Sequence, residues 1–256
     1  MPGVNGPRTL ADGVARLGSS MVNWYLVADD SGVTIVDSGL PGFRPQLEPG
    51  LEALGKTPAD VRALILTHGD GDHTGAASKL AQEGTDIPIH LHPDDENLVQ
   101  GETKDMEDSQ LPLLIRPGAY RLLMHFGRNG LGLKNPKIER TVPLAAGGTL
   151  DVPGRPQVIA TPGHTEGHVV FHFSSHGALF VGDSLCTWHP VSGDRGPQLM
   201  AFNVSNRQAL DSLAGYEALD AGLVLPGHGE PWTDGPAAAV ERARAKSADL
   251  RPVSAH

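Results

Sequence analysis

The segment LTHGDGDHTG, at residues 66–75, is the feature that most restricts how this chain can fold. It overlaps the end of an apolar run at 61–67 that is typical of a short strand. Within six consecutive positions it carries two histidines and two aspartates, which are His68, Asp70, Asp72 and His73. Ionisable groups gathered in one place cost several kcal/mol when they are buried without a partner. The fold must therefore supply a partner for this cluster.

Three later segments repeat the arrangement of a predicted strand, a glycine and an ionisable residue. They are TPGHTEGH with His164, FVGDSLC with Asp183 and LPGHGEP with His228. Because each strand end delivers its side chain to one rim, we expect these residues to join the first cluster. Metal ions would remove the cost of gathering them, since imidazoles and carboxylates are ligands of zinc, iron and manganese. Alternatively, each is a separate polar residue in a surface loop, with Asp72 capping a helix.

Strand and helix patterns are interleaved along most of the chain. Strands are predicted at 21–28, 32–39, 61–67, 87–92, 147–152, 156–163, 168–173, 177–183 and 221–227, and helices at 43–54, 74–82, 203–219 and 235–246. Residues 100–140 contain no convincing strand and are predicted to form a helical insertion. Two facing sheets with helices outside, in a single α/β domain over 1–256, fit this order.

Composition and charge narrow the classes of partner. The formal net charge is −10 and Lys and Arg are not clustered, so we expect no nucleic acid partner. No apolar run approaches the ~20 residues that cross a bilayer, and the first residues lack the pattern of a secretory signal. The single cysteine, Cys186, excludes a disulfide framework and favours a reducing compartment. We therefore expect a cytoplasmic protein with no membrane partner.

With these motifs in this order, the chain resembles the metallo-β-lactamase fold superfamily of metallohydrolases. The likeness extends from Val22 to about Arg244 and includes IVDSG at 35–39, THGDGDHTG, PGHTEGH, VGDS and PGHG. It implies a four-layer αββα sandwich that carries two metal ions at its rim. Matching each motif position implies His68, Asp70 and His164 as ligands of the first metal, Asp72, His73 and His228 as ligands of the second, and Asp183 as the bridge.

Position 70 departs from the family motif, His-x-His-x-Asp-His, because Asp70 stands in place of the second histidine. A third carboxylate makes the metal pair less electropositive, and a hard oxygen ligand shifts the preference from zinc toward iron or manganese. Asp is also shorter than His, so the first metal lies closer to the loop, a water bridges the gap, or that site is weak. We expect two divalent transition metals, with zinc first and iron or manganese as alternatives.

The resemblance implies hydrolysis by a metal-bound hydroxide, with Asp72 binding metal and orienting the nucleophile or passing its proton. The missing export signal argues against penicillin degradation. A glutathione-thioester hydrolase of this family would be expected to carry a C-terminal helical domain, whereas this sequence ends soon after the helix predicted at 235–246, which argues against that activity. A small-molecule ester, lactone or thioester is the expected substrate. The alternatives are a di-iron oxidoreductase, which in this family carries Glu at the position of Asp70, and a non-catalytic metal-binding or sensory protein.

Substrate contacts are expected from the insertion and from the segment just after the strand at 177–183. The candidates are Tyr120, His125, Trp188 and His189. Apolar residues of the insertion, such as Leu122 and Leu123, either line a pocket or pack a helix onto the core. The chain is also a candidate homodimer.

Overall fold

Two β-sheets face each other in the computed structural model, which describes residues 6–132 and 137–247. In these ranges the larger sheet has seven strands, which are β1 (Arg8–Ala11), β2 (Val14–Gly18), β3 (Asn23–Asp29), β4 (Gly32–Val36), β5 (Val61–Ile65), β6 (Ile89–Leu91) and β7 (Val142–Pro143). The first four strands pair antiparallel, whereas β4, β5, β6 and β7 pair in parallel. The C-terminal ends of β4 and β5 therefore lie side by side at one edge.

The smaller sheet brings two further strand ends to a common edge. It contains β8 (Gln157–Ala160), β9 (Val169–Phe173), β10 (Ala178–Gly182) and β13 (Leu223–Pro226), and a separate hairpin contains β11 (Cys186–Trp188) and β12 (Arg195–Gln198). The spatial order of the sheet is β13, β10, β9, β8, and β10 pairs with β13 in parallel. Asp183 and His228, which follow these two strands, therefore leave the sheet at the same end.

Helices cover the outer faces of both sheets. They are α1 (Leu47–Ala53), α2 (Gly71–Gln82), α3 (Glu96–Val99), α4 (Pro117–Arg128), α5 (Asn206–Ser212) and α6 (Gly235–Lys246), with 3₁₀ turns at Pro41–Gln46, Pro58–Asp60, Pro93–Asp95, Asp108–Ile115, Ser174–His176 and Leu213–Gly215. Helices α1 and α2 pack on the larger sheet, and α5 and α6 pack on the smaller one. Of the helices in the described ranges, none has the length and apolarity needed to cross a membrane.

Side chains alternate across each sheet and divide the core into three layers. In β3, Tyr25 faces the smaller sheet, whereas Trp24 and Leu26 face α1 and α2. The central layer contains Phe180, whose ring centroid lies 5.1 Å from that of Tyr25 and 5.2 Å from that of Phe173. Strands such as β3 and β10 are buried on both faces, which accounts for the continuous apolar runs in their sequences. The architecture is the expected four-layer αββα sandwich.

Three predicted helices have different bounds in the structure. The helix predicted at 203–219 is α5 (Asn206–Ser212) followed by the 3₁₀ turn at Leu213–Gly215. Helix α2 begins at Gly71 and not at 74, so Asp72 and His73 lie in its first turn. The helix predicted at 43–54 is a 3₁₀ turn followed by α1, because Pro45 has no N–H to donate inside a regular helix.

Other differences concern short strands. The prediction of a strand at 147–152 is wrong. Gly147 turns the chain with a φ of 91°, and this segment forms only an isolated bridge, at Thr149. Strands β1, β2, β7, β11 and β12 were not predicted. The insertion at 100–140 is helical, with α4 and a 3₁₀ turn, where the structure describes it; residues 133–136 lie outside the described residues.

Replacing Phe180 by alanine should destabilise the protein by about 3–5 kcal/mol, because the ring fills the central layer and its removal leaves a cavity. Leu123→Ala is the matched control on the surface. Leu123 is 57% exposed, so its loss should change the free energy of unfolding by less than about 0.5 kcal/mol. Urea unfolding followed by circular dichroism measures both values. Equal losses in the two variants would contradict the packing of the central layer.

Candidate metal centre

All seven residues predicted as metal ligands lie together at one edge of the two sheets. From the larger sheet come His68 and Asp70, after β5, and Asp72 and His73, in the first turn of α2. From the smaller sheet come His164, after β8, Asp183, directly after β10, and His228, two residues after β13. The ends of strands in two facing sheets thus place these side chains on a common rim.

The potential ligand atoms form two clusters. The first cluster contains His68, His164 and Asp183. The second cluster contains Asp72, His73 and His228. Within each cluster the ligand atoms lie within 4.8 Å of one another, which is close enough for one ion to contact all three.

Asp183 lies between the two clusters. Its Oδ2 atom is 3.5 Å from His164 Nε2 and 3.3 Å from His228 Nε2, and its Oδ1 atom is 3.5 Å from His73 Nε2. Although burial would raise the pKa of this carboxyl, His228 and His73 hold it well below its usual range. Asp183 is therefore an ionised carboxylate in contact with imidazoles of both clusters.

Asp70 lies beside the first cluster and already has a cationic partner. Its Oδ2 atom is 3.2 Å from His164 Nε2 and 3.7 Å from His68 Nε2. The ammonium of Lys104 pairs with the same oxygen and lies 2.8 Å from His164 Nε2. Although burial would raise the pKa of Asp70, Lys104 and His164 hold it well below its usual range. Asp70 is thus ionised, and the ammonium of Lys104 balances its negative charge.

The two imidazoles of the second cluster are oriented by oxygen acceptors behind them. His73 Nδ1 donates to Asp37 Oδ2 at 3.0 Å, and His228 Nδ1 donates to the Met21 carbonyl at 2.5 Å. Since a carboxylate and a carbonyl only accept, Nδ1 carries the proton in both rings. Nε2 is therefore the ring atom that faces the carboxylates of the cluster, and it is the atom that could bind a metal ion once its own proton is lost.

The imidazoles of the first cluster are oriented in the same way. His164 Nδ1 lies 2.8 Å from Asn203 Oδ1, which accepts because the amide nitrogen of Asn203 is used as a donor elsewhere. His68 Nδ1 lies 2.9 Å from Thr67 Oγ1. The Thr67 hydroxyl donates to Asp37, so it accepts from His68. All four rings thus present Nε2 to the rim, which is how proteins orient histidine ligands of metals.

Four buried polar atoms at this rim have no hydrogen-bond partner among the described residues. They are His68 Nε2, His73 Nε2, His228 Nε2 and Asp183 Oδ1. Such atoms cost about 1–3 kcal/mol each when nothing satisfies them. A divalent cation bound by Asp72, His73, His228 and Asp183 would satisfy three of the four together. The residues of the second cluster therefore fit a metal ion.

Carboxylates make the second cluster attractive to positive charge. Burial lowers the pKa of His228, but Asp183 and Asp72 overcome this effect and raise it to about 9. Burial has the same effect on His73, and the surrounding carboxylates again raise the pKa, well above its usual value. At His68, burial and a neighbouring imidazole lower the pKa instead. Carboxylates thus favour positive charge on His73 and His228, whereas burial disfavours it on His68.

Further carboxylates behind the rim hold its loops together. Asp95 accepts hydrogen bonds from Gly69 N at 2.9 Å and from Gly167 N at 2.8 Å, so it ties the segment of the first motif to the segment after His164. Asp37, in the left-handed region with a φ of 55°, accepts from Thr67 N at 2.8 Å. These bonds fix the backbone on either side of the ligands.

These supporting residues were not predicted from the sequence. Asp37 directly follows β4 and precedes a glycine by two positions, so its position after a strand end could have identified it as it identified Asp183. Asp95, Asn203 and Lys104 follow no such pattern. Their partners are distant in the chain, and only the folded structure brings them together.

Gly227 keeps space open beside the clusters. A Cβ atom at this position would lie 2.3 Å from Asp183 Oδ1 and 2.5 Å from His73 Cε1. The first glycine of the PGHG motif is therefore required by the close approach of β13 to the carboxylate between the clusters.

A cavity of about 740 Å³ lies beside His228, although none of the seven predicted ligands is among its lining residues. Its lining includes Met21, which accepts from His228, and Gly229, the residue that follows this histidine. Three of the predicted substrate contacts line it, and they are Tyr120, His125 and Trp188. The lining does not include His189, whose Nδ1 accepts from Ser192 N in the turn between β11 and β12.

Helix α4 forms one wall of this cavity and is held by a close backbone contact. Gly118 packs against the loop at Val191, where a Cβ atom would lie 1.8 Å from the carbonyl oxygen. Leu122 is buried against the core, whereas Leu123 is 57% and Met124 36% exposed. The helix therefore packs on the core through Leu122 and presents other side chains, including Met124, to the cavity.

Known proteins are similar to this chain in sequence and in fold. A family model described as the metallo-beta-lactamase superfamily matches residues 17–228. The probable metallo-hydrolase YybB of Bacillus subtilis (strain 168) is 27% identical over 214 residues, which cover 82% of this chain and 81% of the relative. A crystal structure of a metallo-beta-lactamase family protein from Thermus thermophilus has a TM-score of 0.64 and 26% identity, covering 94% of this chain and 82% of that one.

A relative with a more specific name matches over less of its length. The hydroxyacylglutathione hydrolase of Gloeobacter violaceus is 26% identical over 175 residues, which cover 67% of this chain and 52% of that protein. Because the family model matches most of the chain, the protein belongs to the metallo-β-lactamase superfamily and is a metal-dependent hydrolase.

Proposed function

We propose that the protein hydrolyses a small-molecule ester, lactone or thioester with a divalent transition metal held at the second cluster. The observation that supports this most is the shared orientation of His73 and His228, whose Nε2 atoms face carboxylates and have no other partner among the described residues. Imidazole and carboxylate ligands suit zinc, iron and manganese. Zinc is the metal that we propose first.

The residues around this cluster have separate roles in the proposed reaction. When bound, the metal supplies Lewis-acid activation of water and of the substrate carbonyl. Asp72 is the proposed catalytic residue, because its side chain is 13% exposed while that of Asp183 is 3% exposed. A carboxylate in this position orients a water molecule and accepts its proton. Asp37 keeps His73 in one orientation as charge develops.

The cavity supports a small molecule as the substrate. Its volume of about 740 Å³ lies within the range typical of small-molecule sites. Tyr120, Met124 and Trp188 give it a partly apolar wall. Within the proposed class, a thioester is favoured by the similarity to a protein named hydroxyacylglutathione hydrolase, although the chain spans about half of that protein.

Arginines in the cavity lining favour a substrate that carries negative charge. They are Arg121, Arg128 and Arg195, and no ion pair involves their guanidinium groups among the described residues. The acid in the lining, Glu230, is paired with Arg16 at 2.8 Å. Guanidinium groups bind carboxylates and phosphates in bidentate geometry. We therefore propose an anionic group on the substrate, remote from the bond that is cleaved.

Purified protein should hydrolyse at least one member of a panel of esters, lactones and thioesters, with β-lactams and phosphodiesters as the other classes. Chelation should abolish the activity and added zinc should restore it, because the proposed water activation needs the metal. Oxygen consumption is measured in parallel on iron-loaded protein. Redox turnover with tightly bound iron and no hydrolysis would instead favour the di-iron oxidoreductase.

Replacing His228 by alanine should lower zinc affinity at least about 100-fold, since loss of a residue that only orients a ligand already costs about 10–100-fold. His176→Ala is the matched control, because His176 precedes β10 at the end opposite to Asp183. Equilibrium titration with a fluorescent zinc chelator measures both affinities. Wild-type zinc affinity in the His228 variant would contradict the assignment of the second cluster.

The double variant Arg121→Gln, Arg128→Gln should raise KM about 10-fold for an anionic substrate, because charge-assisted hydrogen bonds contribute about 1.5–3 kcal/mol each and exposure to water reduces this value. The value of kcat should change little. An uncharged substrate of the same reaction type is the control, and its KM should not rise. A loss of kcat for both substrates would show that the arginines affect the reaction centre and do not select charge.

A further inference from the structure

Lys104 enters the rim from the insertion and not from either sheet. It lies between α3 and the 3₁₀ turn at Asp108–Ile115, and its side chain is only 13% exposed. Its Nζ atom donates to Asp70 Oδ2 and to His164 Nε2, the latter at 2.8 Å. The ammonium thus binds two of the atoms that the family resemblance assigns to the first metal.

The two clusters differ in what remains available to an ion. In the second cluster the Nε2 atoms of His73 and His228 have no hydrogen-bond partner among the described residues. At the first cluster Lys104 engages His164 Nε2 and Oδ2 of the adjacent Asp70, which leaves His68 Nε2 and the Asp183 carboxylate. A metal ion lies about 2.0–2.2 Å from imidazole and carboxylate ligands. An ion bound to the same two atoms would compete with the ammonium for their lone pairs and repel its charge.

We propose that the ammonium of Lys104 takes the place of the first metal ion, so that each chain binds one metal ion, at the second cluster. This rests on the proposed function only in requiring that the second cluster binds metal. The expectation of two metals is replaced by a mononuclear site with an internal cation beside it.

The proposal explains the departure at position 70. An imidazole there would place a neutral ring beside an ammonium, whereas Asp70 supplies an opposite charge. The carboxylate of Asp70 thus takes the place of the family's histidine, and the ammonium of Lys104 takes the place of the metal ion that this histidine would bind. The two replacements depend on each other. The charges of Asp70, Asp72 and Asp183 then balance one ammonium and one divalent ion. An ammonium has three donors, and Lys104 uses two of them within the described residues, so the third remains available to a water or a substrate oxygen.

Zinc stoichiometry tests the proposal without relying on activity. Protein is loaded with excess zinc, desalted and weighed by native mass spectrometry, and anomalous diffraction at the zinc edge locates the ions. The wild type should hold one zinc ion per chain, and so should Lys104→Arg, which keeps the charge. Lys104→Met should bind a second zinc ion, because it frees His164 and Asp70. The double variant Asp70→His, Lys104→Met should bind two zinc ions as well, since it restores the family motif.

Lys79→Met is the matched control, because Lys79 lies exposed on α2. It should hold one zinc ion, as the wild type does. Two zinc ions in the wild type would overturn the inference and leave the proposed function standing. A single zinc ion in both Lys104→Met and the double variant, each shown to be folded by circular dichroism, would also overturn it. No zinc in the wild type would contradict the proposed function itself.

Discussion

Asp183 joins the two halves of the molecule through its contacts with imidazoles from both sheets. Its carboxylate lies within 3.5 Å of histidine Nε2 atoms from α2 and from the loops after β8 and β13, and its backbone N–H donates to His168 Nε2 at 3.1 Å. A buried carboxylate is costly unless donors and cations surround it. The parallel pairing of β10 with β13, and of β4 with β5, brings those groups to one rim. The metal site, the oriented rings and the ammonium of Lys104 all depend on this convergence.

The convergence of the predicted ligands on one rim could be anticipated because several of them follow strand ends closely in the sequence. His68, Asp183 and His228 follow apolar runs that are buried on both faces, and parallel strands bring their ends together. The partner of Asp70 could not be predicted in this way. Lys104 lies in a polar segment of the insertion, and no pattern in the neighbouring sequence indicates that this segment passes over the rim.

The start of α2 shows why local patterns fail near the site. Helical periodicity of apolar residues begins at about 74, whereas the helix begins at Gly71. Its first turn carries Asp72 and His73, polar side chains that would face water in most helices. Here both side chains face the clusters, so in this turn polar residues mark the inner side of the helix and not its water-facing side. His189 is close to Asp183 in the sequence, but it lies in the turn between β11 and β12 and is not among the residues that line the cavity.

Gly118 places α4 in direct contact with the backbone at Val191, with no room for even one methyl group. This contact fixes the position of the helix at its first turn. Tyr120 and Met124 lie on this helix and line the cavity, so a change of either side chain would reshape the cavity wall without touching the contact at Gly118. The residues of the two clusters lie on other elements than this helix, so the shape of the cavity wall and the geometry of the clusters are set by separate parts of the chain.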